Sequence, residues 1–190
     1  MTLLCLPRRA LLMASVTMVA ACASPQAKVY TLASVPGAPV EGQPLTASVA
    51  TVEIPKYLDR PQIVRRTDAV ELGVDEYERW GEPLANMVQR VLAEDLAGRL
   101  PAGSSTTASR TLSGDEALTI ELTLPRFDPD PDGAIVLEAQ WRLRYKAGGR
   151  SGTQTARIVC RSADKTAAAE VSAMSDALGE LASRIALGIR

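Results

Sequence analysis

The chain has 190 residues and no histidine, so it lacks both the commonest general base and the commonest zinc ligand. Serine–histidine and cysteine–histidine catalytic pairs and the histidine-based zinc helix are therefore excluded. The 21 basic and 22 acidic residues nearly cancel, and only 4% of the residues are aromatic. Neither charge nor stacking surface therefore indicates a nucleic-acid partner.

The first 21 residues have the three parts of a secretory leader. Arg8 and Arg9 precede an apolar run over residues 10–21, and small residues stand just before Cys22. As a helix the run would span roughly 18 Å, which is too short to cross a hydrocarbon core of about 30 Å. We expect residues 1–21 to be a signal peptide and Cys22 to be lipidated, because the cysteine lies where bacterial lipoprotein precursors are cleaved. An ordinary cleaved signal with a coincidental cysteine is the alternative.

The residues around Cys22 also predict where the chain resides. Ala23 follows the cysteine instead of aspartate, which by similarity to lipoprotein sorting rules favours the periplasmic side of the outer membrane. Cys5 would leave with the leader and Cys22 would carry lipid, so Cys160 stands alone and no disulfide within the mature chain is available. Residues 22–46 are rich in Pro, Ala, Gly and Ser, which predicts a lipid-anchored tether with one short strand at residues 29–32.

Residues 47–190 predict a single domain that begins with strands. Residues 47–54, 62–66 and 69–74 are short runs with β-branched residues, and Pro55 should end or edge the first of them. Over residues 82–100 the apolar residues recur every three or four positions, which predicts a helix. Its apolar side chains form one stripe, opposite the charged positions. The stripe consists of Leu84, Met87, Val88, Val91, Leu92 and Leu96.

In the second half of the domain, apolar and polar residues alternate clearly, and a predicted helix follows. Residues 118–124 and 135–145 alternate apolar and polar side chains around a turn signal at Gly133, which predicts a hairpin. Residues 153–161 predict a third strand, and residues 166–188 a second amphipathic helix. The expected fold class is α+β, an antiparallel β-sheet with two long amphipathic α-helices packed on one face.

Two short motifs suggest chemistry, but the sequence around each favours a structural role. Residues 128–133 resemble the first half of a calcium loop, yet the twelfth position holds Ala139 where a glutamate is needed. Ser162 and Lys165 match the SxxK of penicillin-recognising enzymes, but no SDN or KTG partner occurs. Cys160 lies on the apolar side of its predicted strand and should be buried. We predict no catalytic residue, metal or cofactor.

A contact surface is predicted around the first turn of the domain. Tyr57, Leu58 and Arg60 stand in that turn, Arg65 follows on the next strand, and Trp80 precedes the first helix. Tyrosine, tryptophan and arginine are the residues that most often anchor interfaces. The alternative interpretation is a strand–turn–strand unit with solvated charges.

At these residues the chain resembles the PqiC-like auxiliary lipoproteins of ABC-type transport systems, which work with MCE-domain proteins. The matching elements are the lipobox, Tyr30-Thr31-Leu32, the block over residues 54–64 and the motif over residues 79–84. Only the central block is specific. Gly81 departs from the alanine expected in the tryptophan motif, which affects only the entry to the helix.

The resemblance implies a non-catalytic accessory that helps move phospholipid or a similar hydrophobic molecule between the inner and outer membranes. It implies an outer-membrane lipid anchor, docking to a periplasmic MCE-domain protein, and a homo-oligomer. Two alternatives stay open: a stand-alone carrier that binds lipid in its own pocket, and a periplasmic hydrolase that uses paired carboxylates.

Overall fold

The computed structural model describes residues 26–108 and 115–189. The predicted leader, Cys22 and residues 109–114 lie outside these ranges. The described residues form eight strands and two helices. In chain order these are β1 (Lys28–Tyr30), β2 (Thr46–Val49), β3 (Gln62–Arg66), β4 (Leu72–Trp80), α1 (Leu84–Ala97), β5 (Ser105–Thr107), β6 (Leu118–Pro129), β7 (Ala134–Tyr145), β8 (Gln154–Arg161) and α2 (Ala167–Leu187).

The larger sheet has five strands in the order β5-β2-β6-β7-β8. Its centre is the predicted hairpin of β6 and β7, whose turn uses Gly133 at a φ of 84°, a value that glycine adopts at no steric cost. The prediction ended the first strand at residue 124, whereas β6 continues to Pro129. A register shift between Thr123 and Arg126 interrupts the alternation there, because a β-bulge adds a residue to one strand.

The strand pairing corrects one part of the predicted fold class. The α+β class is confirmed, but the sheets are mixed: β2 pairs parallel with both β5 and β6. A second, three-stranded sheet has the order β1-β4-β3, with β1 parallel and β3 antiparallel to β4. Parallel neighbours need long crossover connections, and local alternation in a sequence gives no information about them.

Both helices pack on one side of the five-stranded sheet and against each other. Helix α1 contacts β2 and β5, and α2 contacts β7 and β8. The predicted apolar stripe of α1 is buried throughout, and each such leucine or valine contributes roughly 1.5–3 kcal/mol by leaving water. The Thr166 hydroxyl accepts the Ala169 N–H and so caps α2. Neither helix of the described ranges combines the length and apolar character needed to cross a bilayer.

The segment that precedes β2 packs on both helices. Leu32 is 2% exposed, the Ala33 N–H donates to Ser175 Oγ on α2 at 3.1 Å, and the Val35 N–H donates to Asp95 Oδ1 on α1 at 2.7 Å. A Cβ on Gly37 would lie 2.5 Å from Arg99 Cζ. Residues 32–37, which lie within the predicted tether, therefore contact the two helices.

Candidate functional site

A buried carboxylate holds the first turn of the domain to the sheet. Asp128, on β6 beyond the bulge, has no exposed surface. Its Oδ2 accepts the Tyr57 hydroxyl at 2.6 Å, and its Oδ1 accepts Arg66 Nε at 3.2 Å and Arg126 Nε at 2.8 Å. Two arginines and a phenol thus satisfy one buried charge, which is the condition under which a carboxylate is tolerated inside a protein.

The residues of the calcium-like motif form the tip of the β6–β7 hairpin. Arg126 pairs with Asp130 as well as with Asp128, and the Gly133 N–H donates to the Asp130 carbonyl at 2.8 Å. Asp132 Oδ1 accepts the Ala134 N–H at 3.1 Å. Among the described residues no group of three or more acids or cysteines is placed to hold a metal ion.

The predicted contact residues in the turn fall into three environments. The Tyr57 hydroxyl binds Asp128, as described above. Leu58 is 3% exposed and belongs to the core, while its N–H donates to the Pro55 carbonyl at 3.0 Å to close the turn. Arg60 is exposed, and no carboxylate of the described ranges lies within ion-pair distance of it. Of the three predicted contact residues in the turn, Arg60 is the exposed one that a partner can reach.

The two remaining predicted contact residues are engaged within the chain. Arg65 binds Glu170 at 2.6 Å and Glu78 at 2.7 Å, so it joins β3 to the first turn of α2 and to β4. Burial raises the pKa of Glu170, and the bond from Arg65 opposes that rise. Trp80 is 7% exposed, and its backbone N–H donates to the Pro61 carbonyl at 2.7 Å. The residue types that anchor interfaces also anchor cores, and composition does not separate the two roles.

Arg60 and Trp80 nevertheless lie at one surface feature. They line one open groove of about 390 Å³ at the junction of the turn with the start of α1. The Gly81 N–H donates to the Tyr30 carbonyl at 2.9 Å and ties β1 to the same place. We call this feature the Arg60 groove. Its lining residues are Asp59, Arg60, Pro61, Trp80, Gly81, Glu82 and Pro83.

Ionisation of Tyr57 should report on the buried cluster. Burial, the hydrogen bond to Asp128 and the negative charge of Asp128 raise the pKa of Tyr57 to about 12, above the ordinary 10.0. The folded chain therefore holds this proton more tightly than the unfolded chain. The resulting stabilisation is complete below pH 10 and is lost as the pH rises through 12.

Absorbance titration of phenolate checks this expectation. The folded wild-type chain should show a component near pH 12 that the Tyr57→Phe variant lacks. Because the chain has four tyrosines, the variant loses one phenolate component in either case. A component lost near pH 10 instead of near pH 12 would mean that the hydrogen bond to Asp128 does not form in solution.

The other candidate positions have structural environments. Ser162 Oγ binds the Asp164 carbonyl, and Lys165 Nζ donates to the Pro131 carbonyl at 2.9 Å. The serine and lysine of the SxxK match are thus occupied with separate backbone groups. Cys160 is half-buried, and burial, followed by the charges of Asp176 and Glu180, raises the pKa of its thiol. This shift disfavours the reactive thiolate.

The comparisons with known proteins identify the family. The chain belongs to the family described as the ABC-type transport auxiliary lipoprotein component, whose model matches residues 30–186. A crystal structure of an uncharacterized protein is similar with a TM-score of 0.75 and 20% identity, covering 87% of this chain and 100% of that chain. Protein XCC0632 from Xanthomonas campestris, of family model DUF330, is similar with a TM-score of 0.66 and 18% identity, covering 83% and 92%. Among curated proteins no match was found.

Proposed function

We propose that this chain is the membrane-tethered accessory of an ABC/MCE-type system that moves phospholipid or a similar molecule between membranes. Lipidated Cys22 would hold it on the periplasmic side of the outer membrane, where it docks the MCE-domain protein as a homo-oligomer and without catalysis. The observation that carries the proposal is the match to an auxiliary lipoprotein family over residues 30–186, which spans nearly all of the described chain.

The Arg60 groove is the docking site that the geometry favours. Exposed Arg60 and largely buried Trp80 both line it, while the backbone around it is fixed by the hydrogen bonds of the Trp80 and Gly81 N–H groups. A rigid groove loses little entropy on binding, and Arg and Trp are enriched among residues whose loss weakens interfaces most. An acidic or apolar side chain of the partner fits this arrangement.

A hydrolase that uses paired carboxylates has less support at the acids described above. Asp128 and Asp130 both bind Arg126, and Asp128 accepts two further donors. Catalytic carboxylates need one group to be free to give a proton and the other to be free to receive one or to attack. The bonds at this pair occupy both acids.

Replacing Arg60 tests the docking site without disturbing the core. The Arg60→Ala variant should recover the MCE-domain partner about tenfold less well, which corresponds to roughly 1.4 kcal/mol. Its unfolding temperature should stay at the wild-type value because Arg60 is exposed. Partner recovery from detergent-solubilised membranes, quantified by mass spectrometry, is the measurement. Tyr57→Ala is a poorer test because it also removes a bond to Asp128.

Arg150→Ala is the matched control. Arg150 is also exposed but follows β7, whose other end pairs with the strand that holds Asp128. Asp128 pairs with Val136 and Arg150 bridges Arg144, so Arg150 lies roughly 25 Å along the strand from Asp128, and it does not line the Arg60 groove. Equal partner recovery by wild type, Arg60→Ala and Arg150→Ala would exclude the Arg60 groove as the docking site. Recovery of no MCE-domain protein by wild type would count against the proposed system.

A further inference from the structure

Most of the exposed large apolar side chains of the described residues lie on the three-stranded sheet. Seven such side chains are exposed, and five of them belong to β1, to β4 or to the turn between β3 and β4. Val70, in that turn, is 92% exposed, so its side chain does not contribute to the core. We call these five residues the apolar hairpin patch: Val29, Val70, Leu72, Val74 and Tyr77.

The N-terminal end of β1 is directed toward this patch. Strand β1 runs parallel to β4, with Lys28 opposite Glu78 and Tyr30 opposite Trp80. The chain therefore arrives at β1 from the side on which β4 begins, which is the side of the turn that carries Val70. Only the last three residues of β4 pair with β1, so the earlier part of its outer edge has no strand partner among the described residues.

Lengths along the chain show that the anchor can bring the patch to a bilayer. Lys28 lies six positions after Cys22, and six positions of extended chain reach at most about 20 Å. Glu78 likewise lies six positions after Leu72 along β4, which is again about 20 Å at the rise of a strand. A lipidated Cys22 thus enters the membrane within reach of the hairpin turn.

We infer that the apolar hairpin patch contacts the lipid surface in which the chain is anchored, an inference that rests on the proposed anchoring at Cys22. Exposed apolar area of this kind gains free energy by leaving water at the acyl boundary. Residues 67–78 hold five acids and no base, so contact comes from apolar burial and suits neutral lipid headgroups. Four of these acids are already partnered. Asp68 accepts two backbone N–H groups and Asp75 accepts the Tyr77 N–H, while Glu76 pairs with Arg79 and Glu78 pairs with Arg65.

A fluorescence quenching experiment tests this contact in the lipidated full-length chain. In a Cys160→Ala background, Val70→Cys carries an environment-sensitive fluorophore. The protein is reconstituted into phosphatidylcholine and phosphatidylethanolamine vesicles that contain a nitroxide-labelled phospholipid. The controls are Leu187→Cys and Val159→Cys, whose native side chains are 69% and 55% exposed. Leu187 lies roughly 25 Å along α2 from Glu170, the residue that binds β3.

We expect the lipid quencher to act at least three times more strongly on position 70 than on positions 187 and 159. Equal quenching at the three positions overturns the inference. A fluorophore at position 70 that is shielded from both the lipid quencher and aqueous iodide also overturns it, because that result indicates burial against a second copy. The vesicles contain no transporter, so neither outcome bears on docking at the Arg60 groove. Failure of the labelled protein to float with vesicles would instead contradict the anchoring at Cys22.

Discussion

Replacing Asp128 by alanine is expected to lower the free energy of unfolding by about 3 kcal/mol. The substitution removes the acceptor of three donors and leaves Arg66 and Arg126, whose side chains are 24% and 16% exposed, without their buried partner. Removing one partner of a buried ion pair strands the other charge in a poorly solvated place. Urea unfolding followed by circular dichroism measures the loss.

Two neighbouring substitutions separate charge pairing from packing at this cluster. Tyr57→Phe removes one hydroxyl that donates to Asp128 at 2.6 Å, so a loss of about 1.5 kcal/mol is expected for a bond to a charged group. Asp130→Ala removes a carboxylate that is 28% exposed, and a loss below about 1 kcal/mol is expected. If Asp128→Ala costs no more than Asp130→Ala, the buried ion pair does not hold the turn.

Replacing Asp95 by alanine is expected to release the N-terminal segment from the helices. Asp95 Oδ1 accepts the Ser34 hydroxyl at 2.9 Å and the Val35 N–H at 2.7 Å, and its side chain has no exposed surface. Burial raises the pKa of Asp95, so part of the gain from these bonds is offset by the cost of the buried charge. A net loss of about 2 kcal/mol is therefore expected.

Hydrogen exchange at the Val35 amide gives the sharper measurement of this release. Its rate should rise at least tenfold in Asp95→Ala, whereas the amides at the centre of β6 should change only as far as global stability changes. Glu94→Ala is the matched control, because Glu94 is 46% exposed and, among the residues that the structure describes, pairs with Arg90 on the same helix. Unchanged protection of Val35 would show that apolar contacts such as those of Leu32 hold the segment alone.

The parts of the fold that were predicted correctly have strong local periodicity. The apolar stripe over residues 84–96 and the alternation over residues 118–124 and 135–145 each bury one face, so sequence spacing and structure agree. The strand β5 was missed because Ser105, Thr106 and Thr107 carry no apolar alternation. Its position is set by parallel pairing to β2, and such pairing depends on contacts between distant parts of the chain.

The candidate site was predictable only in part. The sequence placed Tyr57 and Arg60 in one turn and Trp80 at the start of a helix, and the structure brings Arg60 and Trp80 to one groove. Asp128 was considered only as a possible calcium ligand. The bulge before Arg126 sets which face of the sheet Asp128 occupies, and a one-residue change of register reverses every side chain that follows.

The segment around Ala33 constrains the order in which the domain can assemble. Its N–H group donates to Ser175, which lies 142 positions further along the chain, in the last helix to be synthesised. Closing so long a loop carries an entropic cost that contacts formed late must offset. The residues around Ala33 therefore dock only after α2 has been synthesised. The end of the domain nearest the predicted anchor is completed only after the residues of α2 have been delivered.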